Sequence, residues 1–83
     1  MRALHASNRF LRQLDAAPPE VQRAVAKQLR FLRTHGLRYP SLGAEKHDPR
    51  QKIWWLRATR GWRFYLQDTE EGYLLLSLFS HPK

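Results

Sequence analysis

Apolar residues recur at spacings of three and four from Val21 to Leu32, and at spacings of two from Ile53 onward. The chain therefore changes period once, from helical to strand-like. In the first half, Val21, Ala24, Val25, Leu29 and Leu32 make one face of a helix. Pro19 suits its first turn, Glu20 complements the positive end of its dipole, and Gly36 ends it. Arg23, Lys27, Arg30 and Thr34 share the opposite face, a basic stripe that reads as solvated helix surface or as a set of phosphate contacts. A shorter helix precedes it, with Ser7 or Asn8 as N-cap and Phe10, Leu11 and Leu14 on one face. "AAPPE" breaks that helix, because a proline disfavours helical geometry in the residue before it. Residues 2–6 read as a short first strand.

In the second half, residues 52–58, 62–68 and 72–80 read as strands joined by "TRG" and "TEEG", short glycine-bearing connections that fit antiparallel hairpins. The order predicts a single α+β domain over residues 1–83, two helices packed on one face of a twisted antiparallel sheet of three to four strands. Alternation sends Trp62, Phe64 and Leu66, and Leu74, Leu76 and Leu78, toward the helices. It sends Arg63, Tyr65 and Gln67 to the other face, with Tyr73, Leu75, Ser77, Phe79 and His81 from the last strand and Ile53, Trp55 and Arg57 from the strand before. Trp54 and Trp55 fall on opposite faces, so at least one of them belongs to the core. A core alone does not explain a cation among aromatics.

Charge sharpens this picture. The 83 residues carry 15 Lys and Arg against 7 Asp and Glu, a net charge of +8 that favours a polyanionic partner and salt-sensitive binding. Nucleic acid is the first candidate; an acidic protein is compatible with the same surface. No helix shows the lipid-facing aromatic stripe of an interfacial membrane binder, and no apolar run is long enough to span a bilayer. There is no cysteine for a disulfide or thiolate site, and the expectation is a cytoplasmic protein. His5, His35 and His47 lack ligand spacing, so neither a metal nor another cofactor is expected.

The helix opening "PPEVQ", the loop "PSL…EK", the strand W-x-L-R at Trp54 to Arg57, the strand W-R-F at Trp62 to Phe64 and a histidine closing the last strand occur in an order and spacing that cover nearly the whole chain. In this the sequence resembles the RelE/ParE superfamily of bacterial type II toxins, and within it the RelE-like and YoeB-like messenger-RNA interferases. The resemblance implies a microbial-ribonuclease-like fold, cleavage of mRNA in the ribosomal A site, and neutralisation by a cognate antitoxin. It sets Arg63 where the family has its phosphate-stabilising arginine and His81 where it has the catalytic group at the end of the last strand. Glu45 and Lys46 fall in the loop where YoeB-like members have an acidic residue and a nearby lysine. RelE has lysines where this chain reads "IWWLR", so the identity of the general base stays open.

RNA can be cut without a metal, since its own 2′-hydroxyl can attack the adjacent phosphorus. The protein then supplies a base, a cation for the charge growing on the phosphoryl oxygens, and an acid for the departing 5′-oxygen. Arginine suits the second role through its permanent charge and planar donor fork. Histidine suits proton transfer, having an unperturbed pKa of about 6.5. The expected catalytic residues are Arg63, His81 and Glu45; Lys46 and Lys83 would hold phosphates, Trp55, Tyr65 or Phe79 would stack on an unpaired base, and Arg57 is a further RNA-binding residue. Two rival functions fit the same composition: a non-catalytic ParE-like inhibitor of DNA gyrase, and an RNA-binding regulatory module without cleavage activity.

Overall fold

Residues 2–80 are described by a computed structural model. They form β1 (Ala3–Ala6), α1 (Asn8–Ala16), α2 (Pro19–His35), a 3₁₀ turn (Pro40–Leu42), β2 (Glu45–Asp48), β3 (Ile53–Thr59), β4 (Trp62–Thr69) and β5 (Gly72–Ser80). Ser7 caps α1: its hydroxyl accepts the Phe10 N–H at 3.0 Å, satisfying a donor that has no partner within the helix. Pro19 and Glu20 open α2 as expected, and the Gly36 N–H closes it by donating to the Leu32 carbonyl at 2.9 Å. No helix among the described residues is long and apolar enough to cross a membrane.

The domain is α+β, but its sheet is larger and mixed rather than wholly antiparallel. Five strands run in the order β1-β5-β4-β3-β2, with β1 parallel to β5 and the other neighbours antiparallel. The parallel pair arises because the chain leaves β1 through both helices and returns at β5 in the same direction. The unforeseen strand is β2. Its sequence, Glu-Lys-His-Asp, has no apolar period; it is an edge strand held by backbone pairing to β3, with charged side chains of the kind that blunt an open edge. Glu45 and Lys46, expected in a loop, therefore stand on a strand.

Both helices pack on one face of the sheet. Phe10, Val21, Val25 and Leu32 meet Leu56, Phe64, Leu66, Leu75 and Leu78 in a common core, with Trp54 and Trp62 packed against it. Leu11, expected on the buried face of α1, is 51% exposed, while Phe10 is sealed against Phe64 in an edge-to-face contact at 6.2 Å. On α2 the buried face includes Gln28, which the apolar pattern passed over, and Leu29 is only half-buried. Gln28 is satisfied there because its Nε2 donates to the carbonyls of Ser41 (2.9 Å) and Arg57 (2.7 Å), tying α2 to the 3₁₀ turn and to β3.

The alternation expected along β5 is broken. Tyr65 pairs with Ser77 but Leu66 pairs with Leu75, so Leu76 is an extra residue in the strand. The bulge exchanges the faces of the residues before it. Tyr73 and Leu75, expected on the open face, are buried at 4% and 3% exposure; Leu74, expected inside, pairs with Gln67 on the open side. Ser77, Leu78 and Phe79 keep their expected sides, Leu78 opposite Phe64 in the core and Phe79 opposite Arg63. The bulge is held from α1: the Ser7 hydroxyl donates to the Leu76 carbonyl at 2.9 Å, and the Leu78 N–H donates to Gln13 Oε1 at 2.7 Å.

At the other end of β5, Gly72 lies against β1 with φ +146°, and an added Cβ would stand 2.3 Å from the Ala3 carbonyl oxygen. Arg2 fastens the same corner, bonding the Thr69 and Gly72 carbonyls, pairing with Asp68 at 2.6 Å and lying 4.4 Å over the Tyr73 ring.

Two outcomes are expected in chemical or thermal denaturation. Gly72→Ala should destabilise by about 2–3 kcal/mol, because backbone must move to admit the methyl group. Adjacent residues on β4 should differ in size of effect: Phe64→Ala should cost about 3–5 kcal/mol, and Tyr65→Ala, on the open face, about 1 kcal/mol. Equal losses at 64 and 65 would contradict the assignment of faces.

Candidate nucleic-acid interface

The open sheet face carries no helix among the described residues, and the register of four strands assembles it. Across β2, β3, β4 and β5, one row reads Glu45, Trp55, Tyr65 and Ser77, and the next reads Arg57, Arg63 and Phe79. Cross-strand partners on one face approach closely enough to interact directly. The Tyr65 ring centroid lies 5.1 Å from that of Phe79 and 6.5 Å from that of Trp55. His47 adds a fourth ring, 4.7 Å from Tyr65. An aromatic platform runs across the sheet.

Arg63 is set into this platform. Its guanidinium carbon sits 4.3 Å from the Trp55 ring centroid, a cation–π geometry that fixes the plane of the donor fork. Its Nε is buried and has no hydrogen-bond partner among the described residues. Arg57 stands directly opposite in register, and Arg60 follows in the hairpin between β3 and β4. The three arginines line a hollow of about 370 Å³. Among the described residues no carboxylate lies within ion-pair distance of any of them. Like charges facing each other across a sheet are unfavourable, and a buried donor without an acceptor costs about 1–3 kcal/mol. The repulsion is relieved by an anion in the hollow.

The residues expected from sequence divide into three groups. Arg63, Arg57, Trp55, Tyr65 and Glu45 share the open face. Lys46 pairs with Trp54 and turns to the other side, its Nζ 5.8 Å over the Trp54 ring. Its neighbours there are His35, Arg38 and Tyr73, which with Lys46 and Trp54 line a separate hollow. His81 and Lys83 lie outside the described residues.

Sequence reasoning passed over two residues of this surface. His47 reaches it because the β2–β3 register slips between Lys46 and Asp48, leaving His47 as the extra residue. No alternation in "EKHD" signals that slip. Arg60 was legible only as part of a turn; what places it beside Arg57 and Arg63 is a second register shift, between Arg57 and Thr59.

No protein-family model and no curated protein matches the sequence. Solved structures do match. A chain of the archaeal RelE–RelB complex from Pyrococcus horikoshii OT3 superposes with a TM-score of 0.83 at 10% identity, covering 99% of this chain and 97% of that one. A chain of the YoeB dimer from Staphylococcus aureus gives 0.80 at 10% identity, with 98% of each covered. The E. coli DinJ–YafQ toxin–antitoxin complex gives 0.78 at 10% identity, covering 96% of this chain and 92% of that one. Such likeness without sequence identity is likeness of fold. The chain has the RelE-like fold of these toxin structures, the fold that its sequence motifs led one to expect.

Proposed function

We propose that this protein is the toxin of a type II toxin–antitoxin system, a metal-independent endoribonuclease that cuts mRNA in the ribosomal A site. The observation that carries the reading is Arg63: a guanidinium over Trp55 whose buried Nε has no acceptor among the described residues, facing Arg57 on an open aromatic surface. A pinned cation of this kind is prepared for charge that develops on phosphoryl oxygens, and it needs no reorganisation at the moment of reaction. The platform of Trp55, Tyr65 and Phe79 suits an unpaired base, because stacking accepts any base face.

The step is a transesterification. A base removes the 2′-hydroxyl proton, O2′ bonds to phosphorus, the bond to O5′ breaks, and an acid protonates the departing oxygen. The products are a 2′,3′-cyclic phosphate and a 5′-hydroxyl end. Glu45 and His47, both contributed by β2 to the Tyr65 side of the face, are the described groups able to accept the proton. His81 is the sequence's candidate for proton transfer, and Lys83 for a phosphate contact. An antitoxin partner is supported by the solved toxin–antitoxin complexes that share the fold.

Arg63→Ala should lower cleavage of ribosome-bound mRNA by about 10²–10³-fold, read by toeprinting. It should also abolish growth inhibition while circular dichroism stays unchanged. Arg63→Lys should not restore cleavage, since a lysine offers no planar fork. Arg63→Met, which fills the stack without a buried donor, should be inactive yet at least as stable as the parent. Full toxicity in any of the three, or an arrest of DNA replication before translation, would overturn the nuclease reading.

A further inference from the structure

The three-arginine hollow does not end at the sheet face. Arg57 also lines a second hollow of about 240 Å³, with Ala24, Lys27, Gln28 and Phe31 of α2 and Ser41 of the 3₁₀ turn. Two features open this route. β2 pairs with β3 only as far as Trp55, so the edge of β3 at Arg57 is free of a neighbouring strand. Gly43 then leaves room beside it: a Cβ placed there would sit 3.6–3.8 Å from the Cβ, Nε and Cζ of Arg57, so the arginine side chain runs across the glycine. Beyond the second hollow lie Arg23, Lys27 and Arg30, exposed along α2.

We propose that single-stranded RNA follows this route, entering at Arg63, turning around the edge of β3 at Arg57, and continuing over Lys27 onto α2. The proposal rests on the RNA reading of the open face and extends it to a second face of the domain. The occupant follows from the chemistry of the path. Its first hollow is lined by three arginines, whose planar donor forks match phosphate oxygens. Its second sets a cation beside a ring, with Lys27 Nζ 5.9 Å from the Phe31 centroid, an arrangement suited to unpaired nucleotides. A duplex cannot take the turn, because its persistence length of about 150 base pairs far exceeds the dimensions of the domain, which are 31 × 26 × 24 Å.

The test uses two 2′-O-methyl RNAs, which cannot be cleaved: a trinucleotide that covers the sheet face and a twelve-nucleotide strand long enough to turn the edge. Fluorescence anisotropy across a salt series is recorded for the full chain, Lys27→Ala, and the triple alanine variant at Arg23, Lys27 and Arg30, with Arg63→Ala as the control for the sheet face; alanine keeps α2 helical. For the longer RNA, Lys27→Ala should reduce the slope of log K against log salt by about 0.7, and the triple variant by about 2. The trinucleotide should bind all three proteins alike. If Lys27→Ala leaves the longer RNA unaffected while Arg63→Ala weakens both RNAs, the path is wrong and the RNA reading stands. If Arg63→Ala weakens neither, the RNA reading falls with it. Equal binding of poly-glutamate, with the same dependence on Lys27, would overturn the proposal in favour of an acidic protein.

Discussion

A central strand has two faces and a single register, and β4 uses both. It is paired on each side, to β3 and to β5, and it sends Phe64 and Leu66 into the core while holding Arg63 and Tyr65 on the open face. A slip of one residue would exchange these sets, exposing two fully buried apolar side chains and driving a guanidinium beneath the helices. Burying an unpaired charge is among the largest penalties a fold can meet. The core therefore fixes the position of Arg63 as firmly as it fixes that of Phe64. The candidate site needs no flexible loop to place its central cation.

The same strand shows how a site can be costly within a stable fold. Opposed arginines at 57 and 63 repel, and the buried Nε of Arg63 has no acceptor among the described residues. The contact with Trp55 offsets part of this, since a cation over an indole is worth about 0.5–2 kcal/mol. What remains is a local excess of positive potential in a partly desolvated place, where an arriving phosphate gains more than it would at a solvated lysine. Stability is given up locally, where charges of one sign are held together.

Much of this was legible in the sequence because the informative residues obey a period. Val21, Val25 and Leu32 identify α2, and Trp62 to Gln67 identify both faces of β4 without ambiguity. Legibility failed wherever the chain departs from its period for reasons that lie elsewhere in the fold. Leu76 is an extra residue in β5 because Ser7 and Gln13, nearly seventy positions earlier, bond the groups that the bulge releases. Gln28 is buried because two carbonyls from other segments wait for it. β2 had no apolar pattern to read, so neither Lys46's turn to the Trp54 side nor His47's approach to Tyr65 followed from spacing. The arginine and the platform were visible from alternation; the β2 side of the face was not.

Net charge links these observations. A domain with a formal charge of +8 repels itself, and most of its cations are spread over exposed surface, where water and salt screen them. Arg57, Arg60 and Arg63 are the exception, three cations crowded around one hollow with no carboxylate of the described residues in ion-pair distance. The domain does have acidic groups to spend on such repulsion, and it spends Asp68 on Arg2, at the corner where β1 closes the sheet. The carboxylate thus secures the fold while the hollow is left uncompensated. Because a polyanion there neutralises charge that the native state concentrates and the unfolded chain disperses, it binds the native state in preference, and its binding and the domain's stability rise together.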